Sequence, residues 1–178
     1  MSILAKVQGS AIDGYSTSPP SILTQPTPLS PLLLVLDTNV VLDWVAFRDP
    51  RVQSIIDAIE RGALRAATSS ACLQELRRAL GYTQVKLDAA AQALALQRYA
   101  AYAVVFDIPE SAAAPDLPSC DDPDDQKFLE LAWHARASHL VTRDKALLKL
   151  AHRLAEPRRF TVLAPDAFVA WAGELLQG

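Results

Sequence analysis

The side chains best placed to do chemistry in this sequence are carboxylates: Asp37, Glu75, the cluster Asp121, Asp122, Asp124 and Asp125, and Asp144. Carboxylates gathered without an interleaved base repel one another. The usual remedy is a hard divalent cation, Mg²⁺ or Mn²⁺, which takes oxygen ligands and keeps waters for a phosphate substrate. A metal held in this way lowers the pKa of a water and stabilises charge on a phosphodiester being cleaved. No rival nucleophilic constellation stands out. His134, His139 and His152 form no triad-like setting and read as surface or edge-of-core imidazoles. Cys72 and Cys120 form no C-x-x-C pair, which disfavours a disulfide scaffold or a zinc site and fits a reducing, cytoplasmic compartment.

The elements that must position these acids can be followed along the chain. Leu32-Leu33-Leu34-Val35-Leu36 is a continuous apolar run started by Pro31 and stopped by Asp37, the pattern of a central parallel strand buried on both faces. Asp37 then stands at the carboxyl end, the edge where ligands bind in open α/β sheets. A cap is the competing use, because Asp37, Thr38 or Asn39 would each satisfy free N–H groups of a following helix. The residues alone leave both uses open.

Val52, Ile55, Ile56 and Ile59 repeat at helical spacing, with Gly62 as the stop, and Leu64 to Thr68 reads as a second strand. Ser69 or Ser70 caps the next helix, whose inward stripe is Cys72, Leu73, Leu76 and Leu80. Glu75 lies on its margin, too deep to serve as a cap. Its plain alternative is a surface pair with Arg78 at i+3. An alanine-rich helix over Gln84 to Ala100, with Leu87, Ala91 and Leu94 on one face, precedes an apolar strand over Tyr102 to Ile108.

A loop over Ser111 to Pro118 leads to Cys120-Asp121-Asp122-Pro123-Asp124-Asp125-Gln126-Lys127-Phe128. Pro123 suits the first helical position, which makes Asp122 the cap and puts Asp124 and Asp125 in the first turn. Asp125 precedes Phe128 by three and Ala132 by seven, so it shares the buried face and needs a partner there. His139-Leu140-Val141-Thr142 is the next strand, and Asp144 repeats at its tip the placement of Asp37. Leu147, Leu150, Ala151 and Leu154 mark another helix, Phe160 to Leu163 a fifth strand, and Phe168, Trp171, Ala172 and Leu175 a final amphipathic helix. This alternation predicts a three-layer α/β/α sandwich on a central parallel sheet of about five strands.

The totals agree with one globular domain: 178 residues, 51% hydrophobic. A net charge of -3 argues against a protein that coats nucleic acid, although a local patch or a metal could still bind it. Apolar runs fall well short of the roughly 18 residues a membrane span requires, and the opening residues lack the form of a secretory signal. Residues 1–31, with five prolines among serines and threonines, read as a flexible tail, leaving 32–178 as the folded domain.

Taken together, Leu36-Asp37-Thr38-Asn39-Val40, Leu73-Gln74-Glu75-Leu76, Asp122-Pro123-Asp124-Asp125-Gln126-Lys127-Phe128-Leu129-Glu130-Leu131-Ala132 and Leu140-Val141-Thr142-Arg143-Asp144-Lys145 resemble the PIN domain family. Within it they are most similar to the VapC-like toxins of toxin–antitoxin pairs. The resemblance covers about residues 32 to 172. It implies a Mg²⁺- or Mn²⁺-dependent ribonuclease in which Asp37, Glu75, Asp125 and Asp144 are the metal-site acids. Asn39 and Thr142, with Thr38 and Asp122 beside them, would be supporting polar residues, and Asp122 is the next choice for the metal after Asp125. It further implies an RNA substrate, a protein antitoxin and a homodimer, with Phe168 and Trp171 offering an apolar surface. Cleavage would leave a 5′-phosphate and a 3′-hydroxyl. Arg77, Arg78, Arg143, Lys145 and Lys149 are candidate phosphate contacts.

Two other readings are carried alongside. Haloacid-dehalogenase-like phosphatases also place an Asp after a first strand and use Mg²⁺, but they want a second Asp two positions on, where this chain has Asn39. A non-catalytic PIN-like binding module would be marked by loss of an acid, and none is lost.

Overall fold

The computed structural model describes residues 31–109, 114, 117–154 and 160–177. Five strands form one parallel sheet: β1 (Leu32–Leu36), β2 (Leu64–Ser69), β3 (Ala103–Phe106), β4 (His139–Val141) and β5 (Thr161–Leu163). Their order is β3-β2-β1-β4-β5. The chain builds outward from β1 on one side through β2 and β3. It then returns to pair β4 with the other edge of β1.

β1 is central, as its unbroken apolar run requires. Leu34 and Val35 are fully buried, with Leu34 and Leu36 in one core and Val35 in the other. Successive strand side chains point to opposite faces, so an all-apolar strand must be covered on both sides. The first face is covered by α1 (Thr38–Leu42), α2 (Gln53–Glu60), α4 (Ala89–Tyr102), α8 (Pro165–Ala172) and most of the buried stripe of α3 (Ser70–Leu80). The second is covered by α5 (Gln126–His134), α6 (Lys145–Lys149) and α7 (Ala151–Leu154). These are the three layers of an α/β/α sandwich.

Local chemistry sets the helix limits. Ile55, Ile56 and Ile59 of α2 are all buried, and Gly62 closes that segment at φ +81°, a left-handed conformation that favours glycine. Ser69 caps α3 by accepting from the Cys72 N–H at 3.3 Å. α1 runs on into a π-helical turn over Asp43–Phe47. A 3-10 turn over Pro123–Asp125 leads into α5.

The alanine-rich segment departs from expectation. Its helix begins at Ala89, with Asp88 as the cap, and not at Gln84. Ala95 and Tyr99 face inward while Leu94 is 65% exposed. A helix apolar nearly all round offers no period from which to choose its buried face. At the carboxyl end, Phe168 is fully buried while Trp171 and Leu175 are exposed, so Phe168 cannot contribute to a surface. The expected tail lies outside the described residues except for Pro31, as does most of the loop over Ser111 to Pro118. No helix among the described residues is long and apolar enough to cross a membrane.

Candidate active site

The sheet reverses its direction of growth between β1 and β4, and the crevice beyond the carboxyl ends of such a pair is where an open α/β sheet accepts ligands. Register fixes which residues emerge there. Leu36 pairs with Val141, so Asp37 and Thr142 are the next residues out on neighbouring strands. The Asp37 N–H still donates to the Val141 carbonyl at 3.0 Å, which prolongs the ladder by one bond.

Asp37 is 3% exposed, and both of its oxygens are engaged. Oδ1 accepts the Asn39 N–H at 2.8 Å and so caps α1, while Oδ2 accepts the Thr142 hydroxyl at 2.6 Å. The cap and the crevice acid are therefore the same residue. Burial pushes its pKa up; the Thr142 and Asn39 hydrogen bonds oppose that, and the charges of Glu75 and Asp144 add to it. Thr142 in turn accepts the Asp144 N–H at 2.9 Å. Asp144 caps α6, with Oδ1 accepting from the N–H groups of Ala146 at 2.6 Å and Leu147 at 3.3 Å.

The aspartate cluster separates into distinct uses. Asp122 caps the 3-10 turn through the Asp124 N–H at 2.9 Å, with Pro123 at the first helical position. Asp121 faces water and meets Lys149 at 3.3 Å, an exposed pair of little energetic weight. Asp124 is exposed, whereas Asp125 is half-buried. The Asp125 carboxyl is pushed up to about 6, first by burial and then by the charges of Asp144, Asp37 and Asp122. The structure thus sets Asp37, Asp125 and Asp144 within electrostatic reach of one another, and Glu75 within reach of Asp37.

Glu75 forms an ion pair with Lys127 of α5, and not the alternative surface pair with Arg78. Asn39 contributes its backbone N–H to the site while its side chain is exposed, and Thr38 is buried at the start of α1 without a side-chain bond to Asp37. Lys127 has no role in the sequence reading, and a pair between α3 and α5 leaves no periodic signal. Arg143, a candidate phosphate contact, is held by Asp43 of the π-helical turn and lies 3.5 Å from Asp49. An acid inside the apolar run Val40-Val41-Leu42-Asp43-Trp44 was the available hint of that pair. Arg77 and Arg78 sit in the last turn of α3, about 12 Å of helix rise from Ser70 at the sheet edge.

Among the described residues, no three His, Cys, Asp or Glu side chains are grouped closely enough to close on a metal ion. The donor chemistry still fits a hard divalent cation: oxygen donors only, with pKa values at Asp37 and Asp125 raised in part by their neighbours' negative charge. A groove of about 500 Å³ between α3 and α4, lined by Arg77, Leu80, Gln92 and Leu96, has no acid in its wall and lies apart from this edge.

Comparison with protein families matches residues 33–146 to the PIN domain, and the chain belongs to that family, whose members are generally nucleases. No curated protein matches it. Among solved structures it is similar to VapBC2 from Rickettsia felis bound to a DNA fragment from their promoter. That likeness has 13% identity and a TM-score of 0.49, covering 74% of this chain and 97% of that chain. Membership in the PIN family sets aside the dehalogenase-like alternative, in keeping with Asn39 at the position where a second Asp would be needed.

Proposed function

We propose that the chain is a Mg²⁺- or Mn²⁺-dependent ribonuclease and the toxin of a toxin–antitoxin pair. The observation that carries this reading is the buried Asp37 at the carboxyl end of the central strand, hydrogen-bonded through Thr142 and in electrostatic reach of Asp144 and Asp125. Asp37, Glu75, Asp125 and Asp144 would hold the cation. When bound, the metal supplies an activated water and offsets charge on the phosphodiester, with a 5′-phosphate and a 3′-hydroxyl as products.

The chain's own residues prepare that site. The Asn39 N–H and the Thr142 hydroxyl fix both oxygens of Asp37, and the N-terminus of α6 fixes Asp144. Asp125 would bind a cation as the carboxylate, and its raised pKa means that protons compete with the metal for it at mildly acidic pH. RNA would approach through the exposed Lys145, which follows Asp144 in sequence. A protein antitoxin would cover the acidic crevice with a basic side chain, and the exposed Trp171 offers a surface for a second copy. The cytoplasm is the compartment in which this activity is placed.

The test is cleavage of end-labelled single-stranded RNA by the purified chain, with Mn²⁺ or Mg²⁺ and then with EDTA. Metal-dependent cleavage that Asp37→Asn lowers by about 100-fold or more supports the reading. Folded, metal-supplied protein that cleaves no RNA would support the non-catalytic module instead.

A further inference from the structure

We propose that Lys127 is a resident counter-ion that competes with the divalent cation for Glu75. This inference rests on the metal-site reading above and adds a residue that opposes metal binding. Lys127 stands two residues after Asp125, at the start of α5, and its Nζ pairs with Glu75 of α3 while donating to the Asp124 carbonyl. The two charged side chains retain only 20% and 24% exposure. Nζ also lies 5.0 Å from the centroid of the Phe128 ring, and Phe128 is itself buried. The ammonium is thus held on three sides, by a carboxylate, a carbonyl and an aromatic face, and is not a free surface lysine that drifted near an acid.

Two consequences follow from its charge. In the metal-free chain, Lys127 offsets one of the four carboxylates, which lets the acids stand near one another without a cation. A divalent ion approaching Glu75 meets a positive charge already on that carboxylate. Partial burial makes the repulsion stronger than it would be in water. Metal occupancy and the Lys127–Glu75 pair therefore oppose each other, and Lys127 sets the metal concentration at which the site fills.

The test is Mn²⁺ binding to the full chain, read from the free-Mn²⁺ paramagnetic resonance signal and by calorimetry, with no RNA present. Lys127→Met is expected to tighten Mn²⁺ binding by about threefold to tenfold, while Lys127→Arg, which keeps the charge, stays within about twofold of wild type. Should Lys127→Met fail to fold, Lys127→Gln carries the same expectation, since its amide retains a donor for the Asp124 carbonyl. Unchanged or weaker binding in the charge-removing variants, beside normal binding by wild type, overturns the role of Lys127 and leaves the metal site standing. Absence of Mn²⁺ binding in wild type and all variants overturns both.

Discussion

The Thr142 hydroxyl donates to Asp37 Oδ2 across 2.6 Å, joining two residues 105 positions apart in sequence. Thr142 Oγ1 also accepts the Asp144 N–H, so one fully buried side chain sets the relation between the two strand-end acids. The β1–β4 register makes this bond possible, because Leu36 opposite Val141 leaves Asp37 and Thr142 as neighbours beyond the ladder.

Thr142→Val keeps the shape and removes the hydroxyl, leaving Asp37 short of a donor and the Asp144 N–H short of an acceptor. Unfolding by urea is expected to show a loss of about 1–3 kcal/mol. RNA cleavage is expected to fall by roughly 10- to 100-fold. Thr142→Ser should recover most of both. A valine variant with wild-type stability and activity would mean that the bond positions nothing.

Asp125 carries a pH dependence whose sign is fixed by its shift. Its folded pKa of about 6 lies above the ordinary 3.8, so folding favours the protonated form. Its stabilising effect is complete at acid pH and is lost as pH rises through about 6. In EDTA, the melting temperature of wild type should therefore decline across this range more than that of Asp125→Asn, by a few degrees. Added Mn²⁺ should reverse the trend, stabilising wild type more at about pH 7.5 than at about pH 5.5. Identical pH profiles for wild type and Asp125→Asn would contradict the placement of this carboxyl.

Arg143 ties the turn after β4 to the π-helical turn after α1. Asp43 is 7% exposed, and burial raises its pKa while the Arg143 guanidinium pulls it down. Arg143→Ala leaves that carboxylate without its main partner and is expected to cost about 1–3 kcal/mol. The double variant Arg143→Ala with Asp43→Asn should cost less than the sum of the single changes. Strict additivity in a denaturation cycle would show that the pair carries no coupling.

Much of this arrangement was legible in the sequence, for identifiable reasons. A strand buried on both faces needs an unbroken apolar run, so Leu32–Leu36 announced both the sheet's centre and the position of Asp37 at its edge. Pro123 fixed the helix start and thereby separated Asp122, the cap, from Asp125, the inward acid. The partner of Glu75 was not legible. Local spacing offered Arg78, and only the packing of α3 beside α5 brings Lys127 to it. The buried face of α4 escaped for a different reason, since alanines on every side let Ala95 and Tyr99 face inward while Leu94 faces water.

Anomalous diffraction from crystals of the full chain soaked in Mn²⁺ would test the proposed metal site most directly. The expected result is a Mn²⁺ peak bounded by carboxylate oxygens of Asp37, Asp125 and Asp144 beyond the β1 and β4 tips, absent in Asp37→Asn. A peak confined to other acids, or one that persists unchanged in Asp37→Asn, would contradict the assignment of these residues as the metal site.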